Sequence, residues 1–150
     1  MGLIDDLGPG PVALDTVVFI YFMEEHREYV PVVAPLFEAI DRGLVAAVCS
    51  TLTLMEVLVV PFRAGNLALA QRYEALLTRS RGLRMIDLGR PLLRTAAQLR
   101  AVHAGLRTPD ALQISTALVG GCRSFLTNDR RLPALPGLRV VQLEAYRATG

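Results

Sequence analysis

The stretch Leu44-Val-Ala-Ala-Val-Cys49 contains no polar side chain and is followed directly by Ser50-Thr51. A short apolar run of this kind is typical of a strand that is buried on both faces of a parallel sheet. Comparable runs at residues 12–14, 83–86, 124–127 and 138–143 predict further strands. The sequence therefore predicts a sheet of about five strands.

The segments between these runs have the spacing of amphipathic helices. Apolar residues recur three and four residues apart at Val18, Tyr21 and Phe22, and Asn66 is placed to cap a later helix. We predict helices over residues 17–28, 33–42, 53–63, 67–79, 91–104 and 108–119, and a short helical turn over residues 131–135. Strands separated by helices of about 10 to 15 residues need crossover connections. The predicted fold class is therefore α/β, a three-layer αβα domain with a largely parallel sheet.

Length and composition limit the kind of protein. The chain has 150 residues, which predicts a single domain over 1–150, with residues 1–11 as an amino-terminal lead. Its longest uninterrupted apolar stretch, residues 17–23, is shorter than the roughly 18 residues needed to cross a bilayer. The start MGLIDDLG also lacks the cationic region of a secretory signal. We expect a soluble, cytoplasmic protein that does not bind membranes, in which Cys49 and Cys122 are buried and form neither a zinc site nor a disulfide.

The basic residues are all of one type. The sixteen Lys plus Arg residues are all Arg, and the net charge is +2, too small to indicate a nucleic-acid binder by itself. The lack of Lys excludes Schiff-base chemistry and a P-loop lysine, whereas guanidinium groups suit bidentate contacts to phosphate.

Acidic residues follow several of the predicted strands. Asp15 follows the first strand, Glu56 lies about one turn inside the helix after the second, and Asp129 follows the fourth. In an open parallel sheet the binding crevice lies beyond the carboxyl ends of the strands, so these acids are the informative ones. Asp110 begins the helix that feeds the fourth strand, and the pattern alone does not place it at the same edge.

Each acid also has a local structural explanation. Asp15-Thr16 can form a turn or a helix cap, and Thr53-Leu-Met-Glu56 has the spacing of a capping box. Asp110 in a first helical turn is favoured by the helix dipole, and Asn128-Asp129 is an ordinary turn pair. Taken singly, the acids do not distinguish a site from caps and turns.

Taken together, the motifs around the acids resemble those of a known family. The segments Leu14-Asp-Thr-Val-Val-Phe-Ile, Ser50-Thr-Leu-Thr-Leu-Met-Glu-Val-Leu, Thr108-Pro-Asp-Ala-Leu-Gln-Ile and Phe125-Leu-Thr-Asn-Asp-Arg-Arg-Leu are similar, in order and spacing, to the four acidic motifs of PIN-domain nucleases. The similarity extends over residues 12–143 and is strongest to VapC-type toxins of toxin–antitoxin pairs. The chain departs at Val17, where many relatives carry a polar residue such as Asn.

The resemblance implies a PIN-like fold and a metal-dependent endoribonuclease that is the toxin of a toxin–antitoxin system. It implies that Asp15, Glu56, Asp110 and Asp129 are the catalytic and metal-binding residues, holding one or two Mg²⁺ or Mn²⁺ ions. Crowded carboxylates raise one another's pKa unless a cation compensates them, and hard divalent ions prefer oxygen ligands. Thr16 and Thr127 are expected to support the site. The implied partners are RNA, a small antitoxin and a second copy of the chain.

Phosphate contacts would fall to Arg residues that neighbour the acids in the sequence. These are Arg107, Arg130 and Arg131. Two other functions stay open: a PIN nuclease that processes RNA without an antitoxin, and a catalytically silent domain that binds RNA or protein. A metal-free ribonuclease would need general acid–base groups, and only His26 and His103 are available, neither in a catalytic pattern. The chain also has no Gly-x-Ser-x-Gly elbow for serine-based hydrolysis.

Overall fold

The computed structural model describes residues 2–148, which fold into one sheet flanked by helices. The strands are β1 (Val12–Leu14), β2 (Ala47–Ser50), β3 (Leu83–Ile86), β4 (Ser124–Thr127) and β5 (Arg139–Gln142). The helices are α1 (Leu3–Leu7), α2 (Thr16–Met23), α3 (Val30–Asp41), α4 (Thr51–Arg63), α5 (Leu67–Arg79), α6 (Arg90–Val102) and α7 (Thr108–Val119), followed by a 3-10 helix at Leu143–Tyr146.

The sheet has the strand order β3-β2-β1-β4-β5, and every pair is parallel. β1 lies at the centre, with Val12 opposite Ala47 of β2 and Leu14 opposite Leu126 of β4. From β1 the next strand, β2, lies on one side of the sheet's centre, and from β4 the next strand, β5, lies on the other side. Such a reversal opens a crevice at the carboxyl ends of the two central strands. The predicted α/β class with a parallel five-stranded sheet is confirmed.

Alternate residues of the strands enter two separate cores. Val12 and Leu14 pack with Phe19 of α2 and Tyr73 of α5 on one face, and Ala13 belongs to the core on the other face. The second core is built from small and branched residues of the last two helices and the strands they cover: Val48, Ala96, Ala111, Ile114, Ala117 and Phe125. Because side chains of a strand point alternately to the two faces, these cores are the outer interfaces of a three-layer αβα fold.

Two helix boundaries differ from the sequence prediction by three residues or more. The helix predicted over 17–28 ends at Met23, because Glu25 adopts a left-handed conformation with φ of 52° and the chain turns there. The helix predicted from residue 33 begins at Val30, and Pro31 lies in its first turn. Proline is tolerated there because the first N–H groups of a helix have no acceptor within it.

Other predicted elements also differ. The strand predicted from residue 44 begins at Ala47, because Gly43 is in a left-handed turn and Leu44 is left 61% exposed. The helical turn predicted over 131–135 is wrong, since Leu135 instead forms an isolated bridge with Leu138. The lead at 1–11 contains α1, whose Leu3 and Leu7 join the first core.

Within residues 2–148, no helix is long and apolar enough to span a bilayer. Cys49 and Cys122 are free thiols, and both are buried, as predicted. Burial raises the pKa of the Cys49 thiol to about 12, so this side chain behaves as a small apolar group.

Candidate active site

The last residue of β4 joins two of the predicted acids. Thr127 is fully buried, and its hydroxyl donates a hydrogen bond to Oδ2 of Asp15 over 2.6 Å. The same hydroxyl oxygen accepts a hydrogen bond from the main-chain N–H of Asp129 over 3.0 Å. Asp15 and Asp129 follow neighbouring central strands, and Thr127 ties the two turns together at the crevice.

The surroundings of Asp15 raise its pKa. It caps α2, and its Oδ1 accepts a hydrogen bond from the N–H of Thr16 over 2.8 Å. Burial raises the pKa of Asp15, and the nearby negative charges of Glu56 and Asp110 raise it further, against the lowering effect of the hydrogen bonds from Thr127 and Thr16. The three carboxylates therefore lie close enough to act on one another electrostatically.

Glu56 is held by polar side chains of two other helices. It lies on α4, where the hydroxyl of Thr16 donates to its Oε1 over 2.7 Å and Nε2 of Gln113 approaches the same oxygen at 3.2 Å. The capping-box interpretation of Thr53 and Glu56 is wrong, because α4 is capped by Ser50 and Thr53 is a buried residue inside the helix. Thr53 contacts the Thr16 hydroxyl instead, at 3.0 Å.

Asp110 and Asp129 are each paired with an arginine. Nε of Arg107 donates to Oδ2 of Asp110 over 3.2 Å. Arg131 forms a bidentate contact with Asp129, from Nε to Oδ1 at 3.0 Å and from Nη2 to Oδ2 at 3.1 Å. The Arg131 hydrogen bond holds the pKa of Asp129 below its usual value. The neighbouring Arg130 is exposed and has no such side-chain partner within residues 2–148.

A pocket of about 320 Å³ adjoins these two arginine–aspartate pairs. Its wall combines cationic, acidic and apolar side chains: His103, Gly105, Leu106, Arg107, Asp110, Arg131, Leu132 and Pro133. His103 thus lies beside the acids, whereas His26 packs against the ring of Tyr21 at a centroid distance of 4.5 Å. The amino end of α7, including Asp110, lies at this pocket and therefore reaches the same edge of the sheet.

The donor set fits a hard divalent cation. Asp15 is a partly buried carboxylate whose pKa is raised by burial and then by the charges of Glu56 and Asp110, so the three carboxylates offer oxygen ligands close to one another. Mg²⁺ and Mn²⁺ take oxygen ligands of this type. In the described part of the chain no three His, Cys, Asp or Glu side chains are already close enough together to hold an ion. Arg131 occupies both carboxylate oxygens of Asp129, whereas Arg107 occupies only Oδ2 of Asp110.

Two residues of this edge, Thr53 and Gln113, were not among the site residues predicted from the sequence. Both are buried, and both contact Thr16 as well as lying near Glu56. Helical spacing places each of them beside a predicted acid. Thr53 precedes Glu56 by three residues and Gln113 follows Asp110 by three, so each pair lies on one helix face.

Comparison with known proteins identifies the family. A family model described as the PIN domain matches residues 12–138. The fold is similar to VapBC2 from Rickettsia felis bound to a DNA fragment from its promoter, with a TM-score of 0.69 and 18% identity over 87% of this chain and 97% of that one. A toxin–antitoxin complex from Klebsiella pneumoniae gives a TM-score of 0.66 and 22% identity over 88% and 97% of the two chains.

A third structure is VapC20 from Mycobacterium tuberculosis, a toxin that cleaves the sarcin-ricin loop, with a TM-score of 0.64 and 14% identity over 80% of this chain and 91% of that one. No curated protein sequence matches with significance. The structural similarities are those of fold, and the family model covers most of the sequence as well as the acids at the crevice. The chain belongs to the PIN domain family.

Proposed function

We propose that this protein is a metal-dependent endoribonuclease and the toxin of a toxin–antitoxin pair. One observation carries the proposal: the Thr127 hydroxyl joins the Asp15 carboxylate to the main chain of Asp129, with Glu56 and Asp110 near enough for their charges to act on Asp15, at the crevice where ligands bind in sheets of this topology. Carboxylates crowded in this way are stable as a group when a divalent cation is bound among them. The membership of the PIN domain family supports the same chemistry.

Asp15, Glu56, Asp110 and Asp129 would hold one or two Mg²⁺ or Mn²⁺ ions. Bound there, such an ion supplies a water of lowered pKa for attack on phosphorus and neutralises charge on the phosphodiester oxygens. The chain's own residues position the acids for this work. Thr127 and the N–H of Thr16 each donate to one oxygen of Asp15, which fixes the carboxylate in one orientation.

The arginines would bind RNA. Arg107 and Arg131 pair with Asp110 and Asp129 at the pocket, and phosphate oxygens are competing anions that match the guanidinium fork. A substrate phosphate could therefore take over these two side chains while a cation takes over the two carboxylates. Arg130 is exposed next to the pair and adds positive charge at the mouth of the crevice.

The proposed partners are a small antitoxin and a second copy of the chain, acting in the cytoplasm. Solved structures of similar fold are toxin–antitoxin complexes, which supports this assignment. The face of α4 that carries Met55, Val59 and Phe62 is exposed, with Met55 58% and Phe62 56% accessible. Exposed apolar residues at spacings of three and four form a helix face that a protein partner can cover.

RNA cleavage by the purified protein tests the proposal. We expect cleavage with Mg²⁺ or Mn²⁺ that stops in EDTA, and products with 5′-phosphate and 3′-hydroxyl ends. Asp15→Asn and Asp129→Asn should each lower the rate by 10² or more, about 2.7 kcal/mol of transition-state stabilisation. Asp87→Asn is a matched control, because Asp87 is an exposed acid that follows β3 outside the group. Undiminished cleavage in EDTA, or 2′,3′-cyclic phosphate ends, would refute the mechanism.

A further inference from the structure

Gln113 of α7 is buried in a polar cluster with Thr16, Thr53 and Glu56. Its Nε2 lies 3.1 Å from the Thr16 hydroxyl, 3.1 Å from the Thr53 hydroxyl and 3.2 Å from Oε1 of Glu56. The side chains of Gln113, Thr53 and Thr16 are 5%, 0% and 9% exposed. We propose that Gln113 is a positioning residue that fixes the Glu56 carboxylate for metal binding, an inference that rests on the proposed nuclease function.

The number of hydrogens on these side chains limits which group can donate in each hydrogen bond of the cluster. The Thr16 hydroxyl has a single hydrogen, which it donates to Oε1 of Glu56 over 2.7 Å. The contact between Thr16 and Thr53 at 3.0 Å must therefore be donated by Thr53. The amide nitrogen of Gln113 has two hydrogens for the three oxygens that lie within 3.2 Å of it, so it donates to at most two of them at once. The hydroxyl donations lead from Thr53 to Thr16 and from Thr16 to Glu56, whose carboxylate only accepts.

The same chemistry fixes which way the Gln113 amide points. With the amide reversed, its carbonyl oxygen would face Oε1 of Glu56 and the Thr16 hydroxyl oxygen, whose hydrogen is donated to Glu56, with no hydrogen between these acceptors. With the nitrogen inward, Oε1 of Glu56 has two donor groups within hydrogen-bond distance, the Thr16 hydroxyl at 2.7 Å and the Gln113 amide at 3.2 Å. Among the residues described, no donor contacts the other oxygen, Oε2. Glu56 therefore keeps one oxygen for a ligand.

A polar residue is not needed at this position for packing. The neighbouring buried residues of α7 in the second core are Ala111, Ile114 and Ala117. Burying an amide costs free energy unless it is hydrogen-bonded, and Gln113 makes its bonds to side chains of the candidate site. Ser115, a buried polar residue of the same helix, donates instead to the main-chain oxygen of Leu92 over 2.6 Å. Gln113 therefore bonds to the candidate site, whereas Ser115 bonds to a neighbouring helix.

Mn²⁺ binding to the full-length protein, measured by isothermal titration calorimetry, tests the inference. Gln113→Met keeps the length of the side chain and removes the donor, and we expect Mn²⁺ affinity to fall about tenfold, as for other residues that orient a metal ligand. Ser115→Ala is the matched control, and its Mn²⁺ affinity should stay within about twofold of wild type even though a buried hydrogen bond is lost.

A second titration asks whether the effect passes through Glu56. In a Glu56→Gln background, Gln113→Met should cause no further loss of Mn²⁺ affinity, because the group that it positions is already gone. Thr53→Val, which removes the donor to Thr16 and keeps the amide, should weaken binding in the same direction and covers the case in which Gln113→Met does not fold. In RNA cleavage, Gln113→Met should lower kcat and leave KM for RNA unchanged.

The outcomes separate the inference from the function on which it rests. Wild-type protein that binds no Mn²⁺ overturns both. Wild-type protein that binds Mn²⁺, with Gln113→Met and Thr53→Val binding equally well, overturns the role of Gln113 and leaves the metal site standing. A tenfold loss that recurs in full in the Glu56→Gln background would likewise overturn it, since Gln113 would then act independently of Glu56.

Discussion

Thr127→Val replaces the buried hydroxyl that joins two acids with a methyl group of nearly the same size. Asp15 loses a charge-assisted hydrogen bond, a loss of about 1.5 to 3 kcal/mol, and the N–H of Asp129 loses its acceptor. Because Asp129 is only partly buried, water can replace part of the second bond. We expect Thr127→Val to lower the free energy of unfolding by about 3 kcal/mol, which is a fall in Tm of roughly 6 to 12 °C for a chain of this length.

Thr127→Ser is the matched control, because it keeps the hydroxyl and removes only a buried methyl group. Its expected cost is about 1 kcal/mol. Urea unfolding of the metal-free variants would measure both values. The Thr127 bond lowers the pKa of Asp15, so Thr127→Val should raise that pKa further. A protonated Asp15 gains less from the Thr127 hydrogen bond than a charged one does. The difference in unfolding free energy between Thr127→Val and Thr127→Ser should therefore shrink as the pH is lowered towards about 4.

Equal stability of Thr127→Val and Thr127→Ser at neutral pH would refute this reasoning. It would mean that the Thr127 hydroxyl does not hold Asp15 in the folded protein. A stability difference that stays constant with pH would refute the electrostatic part alone, because the lost bond would then not involve the Asp15 carboxylate.

Two further predictions concern the whole fold. The pKa of Asp15 is raised on folding, so the folded protein binds the Asp15 proton more tightly than the unfolded chain does. The resulting contribution to the free energy of unfolding is fully present below the ordinary pKa of 3.8 and is lost as the pH rises through the pKa of the folded protein. Thermal unfolding of metal-free protein should therefore show Asp15→Asn gaining stability over wild type as the pH rises, and parallel Tm curves would contradict this. Gly82→Ala should destabilise the fold by about 3 kcal/mol, since a Cβ atom would lie 2.2 Å from the main-chain oxygen of Ile40. Gly105→Ala, with open space at its Cβ, should change the unfolding free energy by less than about 0.5 kcal/mol, and equal effects of the two substitutions would contradict the packing argument.

The three central strands, β1, β2 and β4, were predictable because they are buried on both faces of the sheet. A strand such as β4 with all four residues buried carries a local apolar signal that needs no knowledge of its neighbours. Boundaries were less predictable where a local conformation decides them. Nothing in the polar run at residues 24–28 indicates that Glu25 takes a left-handed conformation, and Asp129 holds the Arg131 N–H in a turn where helical spacing suggested a helix.

The acids of the crevice could be proposed from the sequence because they follow strands, and strand ends share an edge. The arginine pairs are also local, since Arg107 lies three residues from Asp110 and Arg131 two residues from Asp129. Gln113 is different, because its contact with Thr16 joins residues that are 97 positions apart. Local spacing places Gln113 on the same face of α7 as Asp110, but only the packed arrangement of the helices shows that Gln113 contacts Thr16 and Glu56.

The central place of β1 has a consequence for how the protein is made. This first strand needs β4 as a neighbour, and the bond between Thr127 and Asp15 joins residues 112 positions apart. Contacts between distant segments form late, because the chain between them must already be available. During translation the acidic edge therefore stays incomplete until β4 has left the ribosome. Under the proposed function, a nascent chain would be unable to cut RNA beside the ribosome that is synthesising it.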